Sequence, residues 1–132
     1  MERPSDPPAR PDGTVASARF GSEHRLVRGW QFERAFKTGT MHRGRHVVAY
    51  AHVAAEEPSR AGIIASRKVG DAVRRNLAKR RLRSIVRSLW PRVRADGRQV
   101  VLIALPDVPT VDFAQLTSDV TRTLQALGVI EP

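Results

Sequence analysis

A basic stretch over residues 66–83 constrains the fold of this chain more than any other part of its sequence. It holds eight Lys or Arg residues and one acid, Asp71, and apolar residues at helical spacing continue beyond it. The apolar set is Ala78, Leu82, Ile85, Val86 and Leu89. Its i, i+4, i+7, i+8, i+11 spacing predicts a long helix with one face packed on a protein core.

The opposite side of this helix is predicted to be a cationic ridge. At about 100° per residue, one acid-free arc collects Asn76, Lys79, Arg80, Arg83 and Arg87. Arg74, Arg75 and Arg81 lie on its shoulders. Like charges one turn apart destabilise a helix, so we expect a polyanion to neutralise the ridge, and Arg suits bidentate contacts with phosphate. An ordinary solvated face is the other interpretation.

Composition narrows the classes of partner. The 132 residues are 41% hydrophobic, which is enough for one domain with a core, and their formal net charge is +10. Such a charge favours nucleic acid or an anionic surface as the partner. No apolar run approaches the roughly 20 residues that span a bilayer, so we expect no membrane partner. The lack of cysteine fits a reducing cytoplasm.

The pattern along the chain predicts a disordered extension and one domain. Residues 1–20 are rich in proline and show no apolar periodicity, so we predict disorder there and a folded domain over 21–128. The predicted elements are a helix from Leu26 to Gly39, strands at 46–53 and 61–66, a helix from Asp71 to Trp90, a strand at 99–105 and a helix at 110–127. The order α-β-β(-β)-α-β-α predicts an α/β class fold, an α+β sandwich around a central sheet.

Aromatic side chains are the second requirement for binding unpaired nucleic acid, because each base gains about 1–3 kcal/mol by stacking on a ring. Phe32 and Phe36 are four residues apart on the first helix, and Tyr50 lies in the next strand. Packing in the core is the other interpretation of these three. Trp90 and Phe113 are predicted to be core residues.

Three segments carry a resemblance to one family. Residues 32–39 (FERAFKTG), after the Arg-Leu pair at 25–26, form the first, and residues 61–70 (AGIIASRKVG) form the second. The third and most specific is the pattern Ala72-Val73-x-Arg75-Asn76-x-x-Lys79-Arg80-x-x-Arg83. With these segments in this order, the chain resembles the bacterial ribonuclease P protein component over residues 23–127.

One position departs from the family pattern. Leu77 stands where the family commonly has the second Arg of an Arg-Asn-Arg motif. On the helical wheel it lies beside Val73, at the edge of the ridge. We expect Arg74 and Arg81 to offset the missing charge.

The resemblance implies a function. It identifies the chain as the protein subunit of ribonuclease P, an endonuclease that removes the 5′ leader from precursor tRNA and whose RNA subunit carries the active site and its Mg²⁺ ions. One protein per catalytic RNA is expected. The implied RNA-binding residues are Arg67, Lys68, Arg74, Arg75, Asn76, Lys79, Arg80, Arg83 and Arg87. The leader-binding cleft maps onto Phe32, Phe36 and Tyr50, and the family fold implies a left-handed βαβ crossover around the basic helix, against the general right-handed rule.

No self-contained catalytic or metal site is visible in the sequence. A protein nuclease needs clustered carboxylates for two metals, or a His with a partner acid. The four aspartates considered show no such cluster: Asp71, Asp96, Asp107 and Asp112. The four histidines have no metal-ligand spacing of a known kind: His24, His42, His46 and His52. We therefore predict no catalytic residue and no metal ligands in the protein. A structural RNA-binding protein, such as a ribosomal protein or an RNA chaperone, is the alternative function, and it would not require an aromatic cleft beside the ridge.

Overall fold

Three helices and four strands make up residues 20–131, the part of the chain that the computed structural model describes. In chain order they are α1 (Gly29–Thr38), β1 (Thr40–Arg43), β2 (Val47–Val53), β3 (Arg60–Ile64), α2 (Ala72–Leu89), β4 (Arg98–Ala104) and α3 (Phe113–Ala126). Short 3₁₀ turns lie at Ser22–His24 and Trp90–Arg92. The order confirms the predicted arrangement, with three strands before the basic helix.

The four strands form one sheet in the order β1-β2-β4-β3. β1 and β4 both pair antiparallel with β2, whereas β3 pairs parallel with β4. Parallel neighbours need a crossover connection, and α2 supplies it between β3 and β4. The βαβ unit implied by the resemblance is therefore present, while the left-handedness of its crossover stays a prediction.

The main core lies between the sheet and the two longer helices. The predicted seam of α2 is buried at all five positions, Ala78, Leu82, Ile85, Val86 and Leu89. It packs in one cluster with sheet residues such as Val47 and Leu102 and with Leu116 of α3. Asp71 is the N-cap as predicted, since its Oδ1 accepts from the Arg74 amide at 3.0 Å.

A smaller core lies on the other face of the sheet, under α1. Leu26, Ala35 and Val101 form its buried centre. Gly62 allows the close approach, because a Cβ there would lie 2.6 Å from Cε1 of Phe32. Leu26 itself precedes α1, contrary to the prediction, and its amide donates to the Ala61 carbonyl at 3.0 Å.

Two aromatic residues and the first strand differ in how well the sequence predicts them. Trp90 is buried, which confirms its predicted place in the core, but Phe113 is 44% exposed, so the prediction for Phe113 was wrong. Phe113 is the first residue of α3, and its ring contacts the Arg81 guanidinium, with 5.5 Å between the group and the ring centroid. The position of β1 is not visible in the sequence pattern, because three of its four residues are exposed and no apolar alternation marks them.

The predicted extension over residues 1–20 lies outside the described residues, except for its last position. Phe20 is buried, and its ring centroid is 4.8 Å from that of Trp90. The packed part of the chain therefore includes Phe20. Within residues 20–131, no helix has the length and apolar character needed to cross a membrane.

Candidate nucleic-acid interface

The outward side of α2 carries the predicted cationic ridge. None of its ridge residues is buried: Asn76, Lys79, Arg80, Arg83 and Arg87. No Lys or Arg of α2 pairs with an acid within residues 20–131. The positive charges on this arc are therefore available to an external anion, and the buried seam holds the helix rigidly on the sheet.

Arg74 and Arg75 lie at the start of the ridge and also brace the turn before it. Arg74 Nε donates to the Val69 carbonyl at 3.4 Å, and Arg75 Nη1 donates to the Gly70 carbonyl at 3.2 Å. These bonds fix the turn that leads from β3 into α2. Arg67 and Lys68 in that turn are exposed, so the cationic surface continues beyond the helix.

Arg81 has a different role from the one expected of it. Its Nη1 donates to the Val108 carbonyl at 2.6 Å, and its Nη2 donates to the Val111 carbonyl at 2.7 Å. The guanidinium is therefore committed to the loop before α3 and does not replace the charge missing at Leu77. Leu77 is half-buried, and Val73 beside it is 75% exposed, which gives the edge of the ridge a short apolar step.

The strand register places the α1 face of the sheet in two rows that run across all four strands. The inner row is Met41, Tyr50, Val101 and Gly62, and the outer row is Arg43, Val48, Ile103 and Ile64. α1 lies over the inner row, where Val101 is fully buried and Gly62 contacts Phe32. The outer row is only partly covered, since its three apolar residues are half-buried and Arg43 is exposed. The result is an open apolar cleft with a cation at one side.

The three predicted cleft aromatics lie together on this face. Phe36 and Tyr50 meet edge to face, with ring centroids 5.0 Å apart and an interplanar angle of 81°. Phe32 and Tyr50 are half-buried against the smaller core, and Phe36 is 40% exposed. Their rings have both a packed side and an accessible side, so core packing and base stacking are compatible at these positions.

The outer row adds residues that sequence reasoning missed. Val48, Ile64 and Ile103 form the floor of the open cleft, and Arg43 stands at its β1 edge. β3 leaves this end of the sheet after Ile64 and continues into the exposed Arg67–Lys68 turn and then α2. The cleft and the ridge therefore meet at one turn. Apolar periodicity indicated strands here, but the register that aligns these four residues has no signal in a single sequence.

Four aspartates that could serve a catalytic site have structural partners. Asp71 and Asp112 cap α2 and α3. Asp96 pairs with Arg98 at 2.9 Å, and Asp107 Oδ2 lies 2.7 Å from His46 Nδ1. Within residues 20–131 no three His, Asp or Glu side chains are grouped so that they could hold a metal ion.

An ion-pair network ties α1 to the turn between β2 and β3. Arg34 donates from Nη1 and Nη2 to the two carboxylate oxygens of Glu57, at 2.8 and 2.9 Å, and Arg60 adds a third bond at 2.9 Å. The hydrogen bonds from Arg34 are the main reason that the pKa of Glu57 falls to about 2. The network fixes the outer side of α1, away from the cleft.

Comparison with known proteins gives one consistent result. The family described as Ribonuclease P matches residues 20–128. The Ribonuclease P protein component of Thermus oshimai is 36% identical over 91% of this chain and 76% of that protein, and the one from Symbiobacterium thermophilum is 37% identical over 82% and 94%. The structure of the Staphylococcus aureus RNase P protein superposes with a TM-score of 0.73 at 26% identity, over 82% of this chain and 98% of that one. The Thermotoga maritima RNase P protein gives 0.67 at 29% identity, with the same coverage.

Proposed function

Because the chain belongs to the ribonuclease P protein family and is the protein component of that ribonucleoprotein, we propose that its two surfaces, the ridge and the cleft, bind different RNAs. The ridge and the turn before it bind the catalytic RNA, and the cleft holds the single-stranded 5′ leader of precursor tRNA. The RNA-binding residues are Arg67, Lys68, Arg74, Arg75, Asn76, Lys79, Arg80, Arg83 and Arg87. The leader-binding residues are Phe32, Phe36 and Tyr50, to which we add Arg43, Val48, Ile64 and Ile103 of the outer row.

One observation carries this proposal: a partly exposed aromatic and apolar cleft opens beside a rigid ridge of a single charge sign. Phosphates released from their counterions supply affinity along the ridge without reading sequence. An unpaired strand offers the flat faces of its bases as well, and the cleft has rings to stack on them. A duplex keeps those faces in its own stack, so the cleft favours the single-stranded leader.

The protein assists the reaction and does not catalyse it in this proposal. Hydrolysis of a phosphodiester at neutral pH is served by metal ions that activate water and stabilise the leaving oxygen. The residues present within 20–131 do not fit such a site, since no three of their His, Asp or Glu side chains are grouped around one point, and Asp71 and Asp112 cap helices. We assign the Mg²⁺ ions to the RNA subunit. The protein neutralises phosphate charge and holds the substrate, as one copy per RNA in the cytoplasm.

Reconstitution tests the proposal as a whole. A matching catalytic RNA is assayed on precursor tRNA across a Mg²⁺ titration, with and without this protein. The protein is expected to lower the Mg²⁺ concentration needed for cleavage and to favour precursor over mature tRNA in binding. An unchanged titration would support the structural RNA-binding alternative, and cleavage by the protein alone in Mg²⁺ would overturn the assignment of catalysis to RNA.

The leader assignment has a sharper test in two phenylalanines of similar exposure. Phe36→Ala is expected to weaken precursor binding about tenfold, through lost stacking, and to leave binding of mature tRNA unchanged. Phe113→Ala is the matched control, because Phe113 is 44% exposed against 40% for Phe36 but lies at the start of α3, on the other side of the sheet. Equal effects of the two changes on precursor binding would contradict the cleft assignment.

A further inference from the structure

Trp30 is a large aromatic side chain on the outer side of α1, outside the cleft. It is 52% exposed, whereas Trp90, the other tryptophan of the chain, is 2% exposed. At about 100° per residue, Trp30 lies roughly 120° around the helix from Phe36 and 160° from Phe32. The cleft therefore does not use this ring, and the smaller core does not bury it.

The ring is backed by a cation that the protein holds in place. The guanidinium carbon of Arg34, one turn further along α1, lies 4.9 Å from the Trp30 ring centroid. Arg34 is fixed there by its two hydrogen bonds to Glu57, which Arg60 binds in turn. The indole is thus pre-oriented, with about half of its surface free.

We propose that Trp30 is a second stacking site, which binds an unpaired nucleobase of RNA outside the cleft. A free indole face stacks on any base, and restricting it in advance lowers the entropy lost on binding. Lys37 lies on the same arc of α1 at i+7 and is exposed, as is Arg28 just before the helix, so cations are available for the flanking phosphates. Glu33 is the acid on this arc, and Glu57 is neutralised by its two arginines.

Charge favours RNA over a protein partner at this surface. An exposed tryptophan also suits a protein interface, where a neutral or acidic partner would cover it. Here the chain carries a formal net charge of +10 and the ridge is already directed to RNA. The inference rests on the proposed binding of RNA, but it does not depend on the leader occupying the cleft.

Intrinsic fluorescence of the full chain provides the test. The probe is a single-stranded oligoadenylate long enough to span α1, and the comparison probe has the same length with abasic sites in place of its bases. Trp90 is buried and gives a constant background, so quenching on addition of oligoadenylate reports on Trp30. We expect quenching in the native chain, none in Trp30→Phe, and little with the abasic strand.

Affinity measured by a labelled strand gives the second readout. Trp30→Ala is expected to weaken oligoadenylate binding about tenfold and Trp30→Phe much less, because the phenyl ring retains stacking. Val27→Ala is the matched control, since Val27 is a 73% exposed apolar neighbour that offers no ring, and it should leave affinity unchanged. Thermal melting of each variant confirms that the change is not one of folding.

The outcomes separate this inference from the proposed function. Unchanged affinity in Trp30→Ala together with absent quenching overturns the stacking site, and so does equal binding of the abasic strand. If Phe36→Ala still weakens precursor binding in that case, the cleft assignment stands alone. Quenching at Trp30 with no effect of Phe36→Ala would support the second site and overturn the cleft assignment.

Discussion

Arg81 and Arg83 lie two positions apart on α2 and have different partners. Arg81 donates to two carbonyls of the loop before α3, at 2.6 and 2.7 Å, whereas Arg83 forms no hydrogen bond or ion pair within residues 20–131 and is partly exposed on the ridge. The difference follows from the helical wheel, which directs the first side chain toward the neighbouring helix and the second toward solvent.

Alanine at each position should therefore have opposite consequences. Arg83→Ala is expected to weaken binding of the catalytic RNA and to reduce the slope of log affinity against log salt by about 1, with unfolding free energy within about 0.5 kcal/mol of the native value. Arg81→Ala should lower the unfolding free energy by about 2 kcal/mol, because it leaves two carbonyls unpaired, and should leave the salt slope unchanged. Urea unfolding and RNA titration at several salt concentrations measure both. A reduced salt slope in Arg81→Ala would place this side chain on the RNA after all.

Single residues were predictable where a period decided them. The buried seam from Ala78 to Leu89 follows from 3.6-residue spacing, and Asp71 follows from the chemistry of N-caps. The prediction that Phe113 is a core residue was wrong, because the same spacing cannot show where along a helix the core ends. The partners of Arg81 lie 27 and 30 residues away in the chain, and no local sequence pattern predicts them.

At the scale of elements, the packing of α1 on the sheet depends on the absence of a side chain at Gly62. Gly62→Ala would place a Cβ 2.6 and 2.8 Å from two ring atoms of Phe32, so this ring of the cleft has to move. We expect a loss of about 1–3 kcal/mol in unfolding free energy and weaker precursor binding. Gly29→Ala is the control, because a Cβ at Gly29 meets nothing within 4 Å. If Gly62→Ala keeps the precursor binding and stability of the native chain, α1 can move to accommodate the added methyl group, and the prediction is wrong.

The network between α1 and the β2–β3 turn predicts a loss of stability in acid. The folded-state pKa of Glu57 is about 2, below its ordinary 4.5, so the stabilisation is complete above 4.5 and is lost as the pH falls toward 2. Glu57 is 29% exposed, and allowing for solvent screening we expect the contribution to be about 1–2 kcal/mol. Urea unfolding at about pH 5 and about pH 3 measures it.

Two neighbouring glutamates make that measurement specific. Glu57→Gln should be less stable than the native chain near neutral pH and lose less stability on acidification. Glu56→Gln is the matched control, since Glu56 is exposed and has no ion pair within residues 20–131. The same acid dependence in native chain and Glu57→Gln would mean that the network does not stabilise the fold.

The positions of the helices and strands were largely predictable from the sequence, but the register between the strands was not. Apolar runs located β2, β3 and β4 to within two residues at each end. β1 has no such run, and its pairing with β2 is what brings Arg43 beside Val48. The cleft aromatics could be named from sequence, but the outer row depends on the relative alignment of four strands, which a single sequence does not encode locally.

For the whole molecule, the formal charge of +10 sets opposite salt dependences for folding and for binding. Added salt screens the self-repulsion of the free protein, so its melting temperature is expected to rise between about 20 and 200 mM KCl. The affinity for RNA should fall over the same range, because releasing counterions from the RNA is less favourable at a higher salt concentration. Lys79→Gln combined with Arg80→Gln should reduce both trends. A melting temperature that falls with salt would show that attractive ion pairs outweigh the repulsion.

The crossover between β3 and β4 has a consequence for the rate at which the chain folds. These parallel strands are neighbours in the sheet, yet all of α2 lies between them in sequence, so half of the sheet closes only after a long loop has folded back. The helix inside that loop carries the unpaired cations, and their repulsion opposes its early formation. We therefore expect the RNA partner to act as a template for folding as well. A chain that meets it before the sheet is complete should finish folding sooner than one left alone.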